Sequence, residues 1–217
     1  MLKKVFLFSS LSSSYSTIVL LHSTLRFNMG GCTSTNTATK TTNPTHKGGK
    51  SVGQHQVLFF PDPALPCRYG NNCKRKNCTF SHEKTSLVRF IHFLRCTKSS
   101  IDICVFTITC NDIANEILSL HNRKIKVRII TDTQQSTSTG SDIEKFRRAG
   151  IKVKEDHTPH HMHHKFAIID NKIIMTGSFN WTRSAVLNNK ENVVVTDVKP
   201  VVDAFRNEFA HLWSQFH

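Results

Sequence analysis

The run His163-His164-Lys165-Phe166-Ala167-Ile168-Ile169-Asp170, followed at fixed distance by Gly177-Ser178-Phe179-Asn180, constrains the fold of this chain more than any other feature. Residues 165–169 are apolar and β-prone, so they read as a strand. Side chains alternate along a strand, which puts His163 and Lys165 on one face. Asp170-Asn171-Lys172 reads as a tight turn and 173–176 as the returning strand. The hairpin therefore carries Gly177 and Ser178 back beside the histidine.

The pattern H-x-K-x4-D-x6-G-S-x-N also has a chemical reading. Cleaving a phosphodiester requires a nucleophile, a cation on the non-bridging oxygens and an acid for the leaving oxygen; histidine and lysine supply the first two. An imidazole is sufficiently neutral at pH 7 to attack. A competing reading takes His157, His160, His161, His163 and His164 as a metal-binding tract or a solvated loop. It gives no reason for Lys165, Asp170, Gly177 and Asn180. Asp170 has a plainer reading of its own, as a turn aspartate that caps backbone amides.

The segments HHKFAIID, TGSFNWT and NNKENVVV resemble the phospholipase D superfamily and its HKD signature, and within it the mitochondrial cardiolipin hydrolase or Zucchini branch, from about Val57 to Phe216. The resemblance implies that His163 attacks phosphorus and forms a phosphohistidine. It implies that Lys165 and Asn180 bind phosphate oxygens, with Ser178 in support and Asp170 in a supporting role. Glu191 matches the family's acidic residue after the motif, which would orient the histidine through its other ring nitrogen. No catalytic metal is implied. One HKD copy is present where the mechanism uses two histidines, so a second chain is expected to supply the other in a two-fold homodimer.

A length of 217 residues allows one α/β domain with appendages. The formal net charge of +14 favours polyanionic partners, and nucleic acid and anionic lipid both satisfy it. No Asp or Glu precedes Asp62, while Lys3, Lys4, Arg26, Lys40, Lys47 and Lys50 lie ahead of it. Residues 1–54 therefore read as a targeting or membrane-anchor arm with a flexible linker, and 55–217 as the catalytic domain. Val5-Phe6-Leu7-Phe8 and Ile18-Val19-Leu20-Leu21 are separated by serines, which makes a spanning helix marginal. A basic, Ser-rich, acid-free arm fits mitochondrial targeting, and a secretory signal is the alternative. The resemblance implies anchoring at the mitochondrial outer membrane with the catalytic domain facing the cytosol. Translation from Met29 would instead expose Gly30 and Cys32 as a lipidation site.

Cys67, Cys73, Cys78 and His82 give C-x5-C-x4-C-x3-H, a spacing suited to one tetrahedral structural Zn2+ in a finger over 66–83. The element resembles CCCH fingers. Tyr69 and Phe80 stand between ligands as stacking candidates for single-stranded RNA, with Lys74, Arg75 and Lys76 for phosphates. A purely structural knuckle that pins the next helix is the other reading. The remaining Cys96, Cys104 and Cys110 fall in apolar patterns and read as core thiols, which points to a reducing compartment.

The rest alternates. Strands are expected over 57–60, 101–108, 125–131, 151–154 and 193–196, and helices over 84–97, 112–122, 141–149 and 200–216. Asn111 and Asp112 read as a helix N-cap, and Asp132 as either a loop cap or a cleft residue. The order predicts an α/β fold with a phospholipase D-like mixed sheet flanked by helices. Three functions are in play. The first is a single-strand-specific endoribonuclease, which the family couples to piwi-interacting RNA production; the second is a cardiolipin hydrolase releasing phosphatidic acid; the third is a catalytically silent RNA-binding adaptor built on the finger.

Overall fold

The computed structural model describes residues 54–217; the readings of the N-terminal arm and of Met29 lie outside the described residues. The elements run β1 (Gln56–Phe60), α1 (Ser86–Arg95), β2 (Ser100–Val105), α2 (Asn111–Asn122), β3 (Lys126–Thr131), α3 (Thr133–Ser136), α4 (Ile143–Arg148), β4 (Lys152–Glu155), β5 (Lys165–Ile169), β6 (Ile173–Gly177), α5 (Arg183–Leu187), β7 (Glu191–Thr196) and α6 (Lys199–Gln215). They build one seven-stranded sheet in the order β1-β7-β6-β5-β2-β3-β4. The pairs from β1 through to β2 are antiparallel, and β2-β3-β4 are parallel. This is the mixed α/β sheet that the sequence leads one to expect.

Both faces of the sheet are covered, and β5 shows how the sequence divides between them. Ala167 and Ile169 point into a core shared with Leu87, Phe90 and Leu94 of α1 and Ile113 and Ile117 of α2. Phe166 and Ile168 point the other way, onto Val202 and Phe209 of α6. A strand buried on both faces reads as an unbroken apolar run, as 166–169 does. Each fully buried Phe contributes about 1.5–3 kcal/mol by leaving water. Phe205 and Leu212 of α6 pack partly on this face, while Val201 is 38% exposed.

Departures from the expected elements have local causes. β2 ends at Val105, although the Phe106 amide still donates to the His164 carbonyl at 2.8 Å in the same register, and further on Ile108 bridges to Trp181. The segment after β2 is thereby held beside the approach to β5. The N-cap of α2 is Cys110, with no side-chain hydrogen bond, so Asn111 and Asp112 are inside the helix. Cys104 and Cys110 are buried thiols as expected, while Cys96 is only half-buried and is not a core residue.

Candidate active site

β5 and β6 form the expected hairpin, with Phe166 opposite Thr176 and Ile169 opposite Ile173. Its open end lies where β2 and β3 finish and β7 begins. His163, just ahead of β5, is exposed, and its ring meets Phe106 edge to face at 4.7 Å between centroids. Lys165 opens β5, donates from Nζ to the His163 carbonyl at 2.7 Å and lies 5.2 Å from the Phe106 ring centre. The His163 imidazole is held below its ordinary range by partial burial and then by the positive charges of Lys165 and His161. That favours the neutral, nucleophilic ring. Partial burial also lowers Lys165, with Glu191 acting against it.

The end of β6 supplies the second half. A Cβ on Gly177 would sit 2.1 Å from the Asn192 carbonyl oxygen, so only glycine lets β6 and β7 approach here. Ser178, exposed, accepts the Asn192 amide on its Oγ at 3.2 Å. Phe179 is buried against Phe60 at 4.1 Å between ring centres. Asn180 is half-buried, and its Oδ1 is a buried oxygen with no hydrogen-bond partner.

Asp170 and Glu191 make their hydrogen bonds away from the His163 ring. Asp170 lies at the far end of β5 from Lys165, a separation of roughly 16 Å at the usual rise per residue. Its carboxylate accepts the Lys98, Ser99 and Ser100 amides and the Ser99 hydroxyl, at 2.7–3.2 Å. Burial pushes this carboxyl up, but the amides of Ser100, Ser99 and Lys98 outweigh it and hold it below the usual range. Asp170 thus clamps the α1–β2 connection by accepting its backbone amides. Glu191 accepts from Asn189 Nδ2 at 3.2 Å, and among the described residues no hydrogen bond joins it to the His163 ring.

Asp132 and His161 stand beside the motif without belonging to it. Asp132 is 1% exposed and caps α3, accepting the Gln134 and Gln135 amides at 3.0 and 3.1 Å. It also accepts the Met162 amide at 3.2 Å and lies 3.0 Å from Nδ1 of His161. Of the two readings the sequence leaves open, the structure shows the loop cap, with His161 as the carboxylate's link to the pocket that His161 lines beside His163. Its buried position follows from the end of β3, which no local pattern announces.

The Cys and His residues of the 66–83 segment do converge. The ligand atoms of Cys67, Cys73, Cys78 and His82 all lie within 4.8 Å of one another. The Cys67 and Cys78 sulfurs are 3.7 Å apart, close to the edge of about 3.8 Å of a tetrahedron with metal–sulfur bonds of about 2.3 Å. Paired hydrogen bonds Cys67 N–H to Ser81 O and Ser81 N–H to Leu65 O, at 2.7 and 2.8 Å, close the base of the loop. Tyr69 and Phe80 are 48% and 41% exposed, Lys74, Arg75 and Lys76 are exposed, and the Arg75 guanidinium lies 5.5 Å from the Tyr69 ring centre.

A neutral imidazole and an ammonium at one open sheet end, with serine and asparagine returned beside them, define a phosphodiester hydrolase on the phospholipase D fold. Comparison with known proteins agrees. Residues 90–213 match the family described as cardiolipin synthase, PLD-like domain. The chain is 49% identical over 176 residues to a mitochondrial cardiolipin hydrolase of Chlamydomonas reinhardtii, spanning 80% of this chain and 79% of that protein. A mitochondrial cardiolipin hydrolase of Xenopus tropicalis is 38% identical over 164 residues, 74% of this chain and 77% of its own. Among solved structures, the phospholipase D family member Nuc from Salmonella typhimurium superposes with a TM-score of 0.62 at 24% identity, covering 76% of this chain and 97% of that one. The chain belongs to the phospholipase D-like family, beside the mitochondrial cardiolipin hydrolases.

Proposed function

We propose that the protein cleaves phosphodiesters through a phosphohistidine on His163 and works as a homodimer, with single-stranded RNA as its substrate. The observation that carries the mechanism is the β5–β6 hairpin register, which returns Ser178 and Asn180 to the sheet end that holds His163 and Lys165. His163 attacks phosphorus; Lys165 and the Asn180 amide bind the non-bridging oxygens as charge builds there, with Ser178 in support. In this role Asp170 acts by holding the hairpin, and Glu191 by its charge on Lys165. No divalent ion enters the reaction.

Cys67, Cys73, Cys78 and His82 would hold one structural Zn2+, three thiolates and an imidazole closing its coordination sphere. The exposed Tyr69 and Phe80, with Lys74, Arg75 and Lys76, favour single-stranded RNA over lipid, because aromatic faces between cations stack bases and bind phosphates. Endonucleolytic production of piwi-interacting RNA is the role in which such an activity belongs. The second reading, release of phosphatidic acid from cardiolipin, uses the same residues and is supported by the activity for which the relatives are named. Their names support a mitochondrial location, and the proposal places the protein at the outer membrane with the catalytic domain in the cytosol.

The test incubates the full chain and His163→Ala with labelled single-stranded RNA and, separately, with cardiolipin vesicles, without added divalent metal. RNA cleavage that disappears in the variant is the expected result. Phosphatidic acid release alone would transfer the reading to the lipid. RNA binding without cleavage of either substrate would leave the adaptor function.

A further inference from the structure

The end of the sheet away from the active site is basic. Ser100 at the start of β2 stands beside Lys126 at the start of β3, and Arg128 of β3 beside Lys152 at the start of β4. The β5–β6 turn falls at the same end, because the Asp170 amide donates to the Ser100 carbonyl at 2.8 Å. Lys98, Arg123, Lys124, Lys126, Lys152 and Lys172 thus gather along neighbouring strand ends, and each is exposed. At about 4.8 Å between strands, the row from β6 to β4 spans roughly 20 Å.

This charge is not spent on the fold. Among the described residues none of these cations stands in an ion pair. Arg123 donates only to the uncharged Arg95 and Thr97 carbonyls. Asp170, the carboxylate in the row, is engaged by the amides of Lys98, Ser99 and Ser100. The chain also enters the domain at this end. Gln54 donates its amide to Asp197, just past β7, at 3.0 Å, and β1 runs from there toward the catalytic end. The preceding residues, which contain no Asp or Glu, therefore join the domain where the lysines stand.

We infer that this end of the sheet is a docking face for an anionic lipid bilayer, so that the domain rests on the membrane by its lysines and turns His163 and Lys165 away from it. The inference deepens the membrane residence proposed above and rests on it, and it uses nothing of the phosphohistidine chemistry. The row suits lipid better than RNA. Single strands are held by stacking on aromatic faces as well as by charge, and the exposed aromatics among the described residues, Phe59, Tyr69 and Phe80, stand on β1 and in the finger. A bilayer presents its phosphates in a plane and attracts a row of cations without stacking. Each lysine near such a surface strengthens attachment about fivefold, within a Debye length of about 8 Å.

The test binds the full chain to phosphatidylcholine vesicles and to mixed phosphatidylcholine–phosphatidylserine vesicles, and maps lysine acetylation by mass spectrometry. On the mixed vesicles Lys98, Lys124, Lys126, Lys152 and Lys172 should be protected, while Lys74 and Lys76 react as they do in solution. The map uses the parent chain alone and so does not depend on how a variant folds. Replacing the five protected lysines together by glutamine should lower the preference for mixed vesicles at least about 10²-fold. Lys74→Gln with Lys76→Gln should change it less than about twofold, because those charges lie beyond the Debye length of a bilayer at the far end. Protection of Lys74 and Lys76 instead would overturn the inference, as would protection of the five by a single-stranded RNA oligonucleotide but not by vesicles. A chain that binds neither kind of vesicle would remove the membrane residence itself, whereas binding with the five lysines still reactive would remove only this face.

Discussion

At residue scale, one motif divides between chemistry and architecture. His163 and Lys165 stand at one end of β5 and Asp170 at the other, so a five-residue strand separates reactive groups from a clamp. The clamp has a measurable consequence. Asp170→Ala leaves the Lys98, Ser99 and Ser100 amides without their acceptor, and hydrogen bonds to a charged group are worth about 1.5–3 kcal/mol each in net stability. Denaturant unfolding at pH 7 should show a loss of about that size for the whole cluster, with activity falling only as the folded fraction does. Because the Asp170 carboxyl is held below its unfolded value of about 3.9, its contribution is present above that pH. It is lost as pH falls through the lower folded value. The gap between parent and variant should therefore close on acidification below about pH 4, and a gap that persisted there would show that the charge is not what Asp170 contributes.

At the scale of elements, the hairpin was legible almost to the residue, since apolar β-prone runs on either side of Asp170-Asn171-Lys172 admit little else. Asp170 and Asn171 do adopt the left-handed backbone that such a turn uses, with φ of 51° and 57°. The helices α3 and α5 were not legible, because four and five residues are too few to show a period of 3.6. The contact between Asp132 and His161 was equally hidden, for the two lie 29 positions apart in sequence. The start of α1 is a similar long-range device. Asp62, 5% exposed, accepts the Ser86 and Leu87 amides at 2.9 and 2.8 Å across the whole finger segment, beside the local cap from Thr85. Asp62→Ala should cost about 1–3 kcal/mol, the penalty for buried donors left unpaired. For a chain of this length that corresponds to about 2–4 °C in Tm per kcal/mol. A calorimetric shift under 1 °C would mean that Thr85 alone sustains the helix start.

At the scale of the whole molecule, charge decides how the protein meets a polyanion, and here composition and structure carry different parts of the argument. The net charge of +14 was plain from the sequence, yet it serves RNA and anionic lipid alike. The structure adds a place: Lys74, Arg75 and Lys76 stand exposed on a loop where four side chains able to hold a metal ion converge, beside two exposed aromatics. If that loop holds RNA, each cation that neutralises a phosphate releases a counterion. The logarithm of the binding constant then falls with the logarithm of salt at about 0.7 per phosphate contacted on a single strand. Replacing Lys74, Arg75 and Lys76 together by alanine should make that slope shallower by about 2 if all three contact phosphate. The measurement is a salt titration of RNA binding in the His163→Ala background, where the strand stays intact. Tyr69→Ala and Phe80→Ala should by contrast weaken binding at every salt concentration and leave the slope as it was, because stacking releases no ions. A slope unmoved by the triple replacement would confine the finger to holding the entry of α1, and the RNA would have to be gripped by the open end of the sheet alone.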